Sequence, residues 1–289
     1  KNAGADNITH IYHMVNARER YNTLKRIADF YPEIYGIVFC RTRQETKDVA
    51  AKLMHDGYNA EALHGDLSQA QRDYVMQKFR EKNLRILVAT DVAARGLDVH
   101  DLTHVINFNL PDDTEVYAHR TGRTGRAGKT GLSVSIINLK EKGRIRQIER
   151  FVRKPIDQKP VPGGQEICKR QLFYLLEKMQ KSEVEEEQIE PYMEKVYGML
   201  GYLSKEEIIK RFVSLEFNRF LNYYKNAPDL NAVEKRDRND RSDRGGGSNR
   251  NNRNDRNDRF ERNDSGNKRR KPKGRSMSRI IYNIGKGKN

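Results

Sequence analysis

Residues 119–131 read HRTGRTGRAGKTG and set three arginines, Arg120, Arg123 and Arg126, at a strict three-residue spacing. The segment runs on into Gly-Lys-Thr, as phosphate-binding loops do. Two chemistries are on offer: its backbone amides could cradle a phosphate, or its arginines could reach a phosphate held elsewhere. A cradle needs G-x-x-x-x-G-K-[ST] followed by a helix whose N-terminus points at the anion. Its first glycine would fall on Arg123, and the next run, LSVSII, has the composition of a strand. The cradle fails on both counts. Arginine keeps its charge and presents a planar fork that matches phosphate oxygens. In phosphoryl transfer, arginines from outside the cradle stabilise charge on the γ-phosphate. The intervening glycines let the backbone come close to a ligand.

Such side chains need a rigid frame. The runs IYGIVFC (34–40), RILVAT (85–90), THVINF (103–108) and LSVSII (132–137) are short, apolar and β-branched. They predict strands buried on both faces of a parallel sheet. Helical patterns lie between them. RQETKDVAAKLMHDG puts Val49, Leu53 and Met54 on one face, with Gly57 at the C-cap. SQAQRDYVMQKFREKN offers Ser68 as N-cap and a face of Tyr74, Val75, Met76 and Phe79. Strand–helix alternation over residues 1–153 predicts an α/β fold, whose functional residues gather at the carboxyl ends of the strands.

Residues 154–165 are rich in proline and glycine and read as a linker or extended arm. Residues 166–230 are helical in pattern. One stripe is Leu172, Leu175, Leu176 and Met179. Another is Ile209, Val213, Phe217, Phe220 and Tyr224, behind a capping box of Ser204 and Glu207. A few helices bury little core alone, so these must pack on each other, on the α/β domain or on another chain. Residues 231–276 turn polar. Within 234–276 there are sixteen Lys/Arg and eight Asp/Glu, half of the chain's formal net charge of +16. Such a segment cannot bury enough apolar surface to fold, and reads as a disordered basic linker or a sequence-tolerant tether for nucleic acid. Residues 277–289 look like the start of a further strand-bearing domain. The net charge points to polyanions without separating RNA, DNA and anionic membrane. No apolar run approaches the roughly 20 residues that span a bilayer. Cys40 and Cys168 are the two cysteines of 289 residues. They make no disulfide framework, which points to a reducing compartment, the cytoplasm.

HRTGRTGR is similar to motif VI of the DEAD-box RNA helicases, and companion motifs occur in order. IVFCRTR (37–43) resembles motif IV, Gln69-x-x-Arg72 motif IVa, and VATDVAARGLDV (88–99) motif V. The resemblance covers about residues 8–140. It implies a RecA-like parallel sheet flanked by helices, the second of two such domains. It implies ATP and Mg²⁺ as cofactors, both held mainly by an N-terminal RecA-like domain of the same polypeptide. Arg123 and Arg126 match the arginines that approach the γ-phosphate, and His119 the histidine that couples hydrolysis to domain closure. Asp98 matches the carboxylate on the ATP ribose; Arg95, beside Gly96, belongs to the network joining nucleotide and RNA sites. Arg41, Thr42, Gly65, Arg72, Thr90 and Asp91 match the surface that grips the RNA backbone, with Gln69 orienting it. No residue is implied as a metal ligand here. These residue types grip phosphate and sugar rather than read bases, so RNA binding should be sequence-tolerant and salt-sensitive.

The flanks resemble, more diffusely, bacterial members with a dimerisation domain and an RRM-like RNA-binding domain. Residues 166–230 are thus a candidate homodimer interface, and 277–289 the start of an RRM-like domain. Two rivals remain open: a non-catalytic RNA-binding or annealing module, and a DNA helicase domain.

Overall fold

The computed structural model describes residues 7–96, 99, 101–125 and 128–232. The predicted basic linker beyond residue 232 and the predicted segment 277–289 lie outside the described residues, as do Asp98 and Arg126.

Seven strands form one sheet. They are β1 (Ile8–Met14), β2 (Gly36–Phe39), β3 (Ala60–Leu63), β4 (Ile86–Ala89), β5 (His104–Asn107), β6 (Gly131–Ile137) and β7 (Asp157–Gln158). Their order is β3-β4-β2-β5-β6-β1-β7 and every pairing is parallel. Parallel strands need crossovers, which the helices supply: α1 (Arg20–Phe30), α2 (Arg43–His55), α3 (Gln69–Arg80), α4 (Asp91–Ala94), α5 (Thr114–Thr121) and α6 (Lys142–Val152). All seven carboxyl ends therefore lie along one edge.

The β2 sequence shows why its run is apolar throughout. Val38 faces a core shared with Leu24 and Ile27 of α1 and Val49 and Leu53 of α2. Its neighbours Ile37 and Phe39 face the opposite layer, with Val75 and Phe79 of α3. A strand buried on both sides cannot alternate. The β6–β1 part of the sheet is covered by α5 and α6 through Tyr117, Ile145, Ile148 and Val152. Two predicted helix faces need trimming. Met54 and Tyr74 are exposed, because each falls one position beyond the arc that reaches the sheet. The caps are as predicted: Gly57 takes a left-handed φ of 85°, and Ser68 forms a capping box with Gln71.

The predicted linker is an extended arm carrying β7, which pairs beside β1. The helical segment consists of α7 (Gly164–Lys181), α8 (Glu186–Leu200) and α9 (Lys205–Tyr224). Ile167 and Cys168 of α7 pack with Phe217 and Tyr224 of α9 against Phe30 at the end of α1. The Tyr224 hydroxyl donates to Asp29 on α1. After α9 the chain returns to the first domain: Leu230 enters the α1-side core, and the Ala232 amide donates to the Met14 carbonyl at 2.8 Å. Of the predicted stripes, Phe217, Tyr224, Val213 and Leu172 serve this junction, whereas Ile209 and Met179 face solvent. No residue of α8 is buried. Among the described residues no helix is long and apolar enough to cross a membrane.

Candidate phosphate and nucleic-acid interface

The carboxyl edge is built from helix caps. Thr42, after β2, accepts from the Glu45 amide at 3.1 Å and starts α2. Thr90, after β4, accepts from the Ala93 amide and starts α4. Asp113 caps α5 through the Glu115 amide at 2.8 Å. Each cap turns the chain sharply, so the residues beside it stand at the rim of the sheet.

Arg120 is the centre of this edge. Its side chain is 3 % exposed and forks onto Asp91, with Nε–Oδ1 at 2.6 Å and the second terminal nitrogen on Oδ2 at 2.7 Å. The first terminal nitrogen donates to the Asn107 side chain at 2.9 Å and the Asn109 carbonyl at 2.8 Å. The guanidinium lies 4.9 Å from the centre of the Phe39 ring. A buried guanidinium is tolerable only when its donors are met and a counter-charge is adjacent, and here both conditions hold. Arg120 thus ties the ends of β2, β4 and β5 to α5.

Around it opens a cleft of about 320 Å³ that gathers Asp91, Arg95, Gly96, His119 and Arg123. Arg95 and His119 are exposed and Arg123 is half-buried, one residue after the Gly122 C-cap of α5. Asp91 is committed to Arg120, and Arg95 and Arg123 are the two further guanidinium side chains of the cleft. Gly96 has a φ of 73° and nothing near where a Cβ would stand, so it serves the backbone turn at the rim. Gly125 differs. Its φ is 67° and an added Cβ would lie 2.6 Å from Ile8 Cγ1. That glycine lets the arginine-bearing turn seat on β1 rather than approach a ligand. The Gly-Lys-Thr tail leads directly into β6, as the rejection of a phosphate cradle predicted.

The remaining predicted residues line the neighbouring part of the edge. The Arg41 amide donates to Asn109 at 3.0 Å and to Glu45 at 3.1 Å, while its half-exposed guanidinium approaches Asp112 at 3.4 Å. Arg144 holds the same Asp112 at 2.6 Å and lowers its carboxyl pKa. Gly65 lies in the turn after β3. Beside it Asp66 accepts from Lys47 and Arg43, both at 2.8 Å. These two cations hold the Asp66 carboxyl down to about 2. Arg72 donates to the Ala93 carbonyl at 2.8 Å, bracing α4, and exposed Gln69 bonds Asp73 one turn on. The edge therefore has two parts: a cleft holding Asp91, Arg95, Gly96, His119 and Arg123, and a patch holding Arg41, Thr42, Gly65, Gln69 and Arg72. Thr90 sits at the root of α4, next to the cleft. Motif position alone leaves Arg120 without a role of its own and sets Asp91 towards an external ligand; the pairing of the two, 29 positions apart, exists only in the fold.

Residues 19–128 match the helicase conserved C-terminal domain, and residues 167–225 the helical domain of probable ATP-dependent RNA helicases. The chain is 37 % identical over 193 residues to the DEAD-box ATP-dependent RNA helicase CshA of Bacillus subtilis, covering 67 % of this chain and 39 % of that protein. It is 50 % identical over 147 residues to a probable ATP-dependent RNA helicase of Methanocaldococcus jannaschii, covering 51 % of this chain and 40 % of that protein. The chain carries a helicase conserved C-terminal domain and is similar to DEAD-box ATP-dependent RNA helicases, spanning about two fifths of the length of these relatives. Among solved DEAD-box structures, S. cerevisiae Dbp5 bound to RNA and ADP BeF3 is similar at 27 % identity with a TM-score of 0.54, covering 59 % of this chain and 48 % of that one.

Proposed function

We propose that this chain is the C-terminal half of an ATP-dependent RNA helicase that unwinds short RNA duplexes. The observation that carries the reading is the cleft collecting Arg95, Gly96, His119 and Arg123 at the carboxyl edge of the sheet. Arg123, with Arg126, acts as the pair of fingers on the γ-phosphate. Asp98 bonds the ribose, and His119 couples hydrolysis to closure. The triphosphate and Mg²⁺ are held mainly by the N-terminal RecA-like domain. The patch of Arg41, Thr42, Gly65 and Arg72, with Thr90, grips the RNA backbone. Asp91 takes part by fixing Arg120, not by touching RNA. ATP would close the two domains on a duplex and bend one strand; hydrolysis would reopen them. The similar S. cerevisiae Dbp5 is solved bound to RNA and ADP BeF3, which supports a site of this kind.

The test is made in the complete protein. Arg123→Ala or Arg126→Ala should cut RNA-stimulated ATP turnover by 10³-fold or more, as loss of an arginine finger does, while RNA binding stays within a few-fold. Equal loss of both would remove the finger role. RNA-dependent turnover by these 289 residues alone would remove the half-site reading.

A second copy is the partner we infer for residues 166–230. Along α8, Tyr192, Tyr197 and Met199 are 70 %, 66 % and 63 % exposed, although the helix is amphipathic. Exposed apolar faces of that kind are interaction surfaces. Tyr197→Asp should convert a dimer to a monomer in sedimentation; a monomeric parent would end the inference. The cytoplasm is the proposed compartment, supported by two buried thiols that burial keeps protonated.

A further inference from the structure

The outer face of α6 is lined with arginine. Residues 142–154, KGRIRQIERFVRK, hold six cations against one acid, Glu149. Ile145, Ile148 and Val152 are buried and fix the helix on the sheet. Arg146 and Arg150 stand exposed one turn apart, and exposed Arg153 follows three residues later. At 1.5 Å of rise per residue, the three make a row about 10 Å long on one flank of the helix.

Arg146, Arg150 and Arg153 make no ion pair among the described residues. Glu149 turns instead to the Ile156 amide at 2.9 Å. Glu141, just before the helix, takes Arg20 and the Asn138 amide. At the start of the neighbouring α5, Asp112 is held by Arg144 and Asp113 caps the helix, which leaves Glu115 as the uncommitted acid there. Other exposed helices pair a lysine with a glutamate one turn before it: Glu177–Lys181 lie at 3.9 Å and Glu206–Lys210 at 3.2 Å. Like charges at that spacing lower helix stability, and a cation in the first turn, such as Lys142, opposes the helix dipole. Arg153 adds a further cost. It closes α6 with a left-handed φ of 58°, a conformation that favours glycine. An anion from outside the fold offsets all three costs.

The residue types select the anion. Arginine forks match the oxygens of a phosphodiester. The other exposed residues of α6 are Gly143 and Gln147, so the helix face has no apolar side chain to enter a bilayer. Guanidinium groups in a row, outside any pocket, grip a backbone and read no base. Position narrows the choice further. Arg144, in the first turn of α6, and Arg41, in the patch after β2, approach the same Asp112, at 2.6 Å and 3.4 Å. The helix thus adjoins the patch assigned to RNA.

We propose that the row of Arg146, Arg150 and Arg153 is an auxiliary RNA-backbone site, holding the part of a strand that runs off the Arg41 patch. This rests on the RNA reading of that patch and adds a length dependence to it. A short strand fills the carboxyl edge alone; a longer one also lies on α6.

The complete protein is titrated with single-stranded oligoribonucleotides of about 10 and about 40 nucleotides, within and beyond the span of a single site. One variant combines Arg146→Gln, Arg150→Gln and Arg153→Gln, all at exposed positions, and far-UV circular dichroism checks its fold. A control of equal charge change combines Lys178→Gln, Lys195→Gln and Lys205→Gln on α7–α9. The α6 variant should bind the long strand about tenfold more weakly, with a salt slope shallower by about 2, three contacts at about 0.7 each. Its short-strand affinity and its ATP turnover at saturating RNA should not change, and the control should match the parent throughout. The proposal fails if the α6 variant binds the long strand like the parent, if the control weakens it equally, or if both lengths lose alike. Loss of binding to phosphatidylserine vesicles in place of RNA would also sink it. Arg41→Ala separates the two readings, because it should weaken both lengths. If it weakens neither, the patch reading falls and takes this proposal with it. If it weakens both while the α6 variant weakens neither, only the α6 site falls.

Discussion

The two ends of the sheet solve opposite problems. At the carboxyl end, side-chain oxygens of Thr42, Thr90 and Asp113 satisfy helix amides, and Asp91 is committed to Arg120. Internal polar groups are matched, and the charges left at the rim face outward. At the amino end His104 Nε2 is buried with no partner among the described residues, beside a cleft of about 640 Å³ lined by Phe30, Tyr31 and Phe173 where α7 meets the end of α1. The first arrangement suits a phosphate that arrives with its own charge. The second seals its polar atom away from solvent. The ends also differ in origin: the carboxyl edge is made by the α/β unit alone, whereas the amino-end cleft exists because α7 docks on α1.

The contrast can be broken most forcefully at Arg120. Arg120→Ala strips Asp91 and Asn107 of their partner and should cost about 3–5 kcal/mol, measured by denaturant unfolding. Arg120→Lys should recover little, because an ammonium cannot fork onto Asp91 while reaching Asn107 and Asn109. The next largest effect is on pH. His104, and His10 in β1, are both held neutral, chiefly by burial, with pKa values lowered from 6.5 to about 4. The unfolded chain binds these protons first, so stability is full above about pH 6.5 and falls as pH drops towards 4. Each group contributes on the order of 3 kcal/mol. Thermal unfolding across that window should show the loss; a flat profile would mean that neither histidine is held neutral. A smaller change tests the caps: Ser68→Ala should cost about 1 kcal/mol. The smallest is Arg95→Ala, whose side chain is exposed. Stability should move by less than about 0.5 kcal/mol, while turnover of the complete protein falls several-fold.

Much of this was legible in the residues. Four strands were visible because their runs are apolar throughout, and the caps because Ser, Thr and Gly stood at helix ends. β1 was not visible: ITHIYHM carries two buried histidines, and their polarity hides the strand until the Tyr117 hydroxyl and the Lys159 carbonyl are seen to pair with them. β3 is AEAL, too short and too alanine-rich to signal a strand. The cleft residues were found because they sit in short motifs. The His104 cleft was not, since its walls come from residues 30–33, 103–104 and 166–177, which meet only through tertiary packing.

The contact of Gly125 with Ile8 has a mechanical consequence. The turn that carries Arg123 is wedged against the first residue of β1, with no room for even a methyl group. Such a seat lets the turn neither slide nor lift by itself, because packed interiors transmit displacement instead of absorbing it. Any approach of these arginines to a phosphate must then be a stroke of the entire domain. The chain behaves less like a hand that closes its fingers than like a rigid pawl, engaged or disengaged by the hinge it turns on.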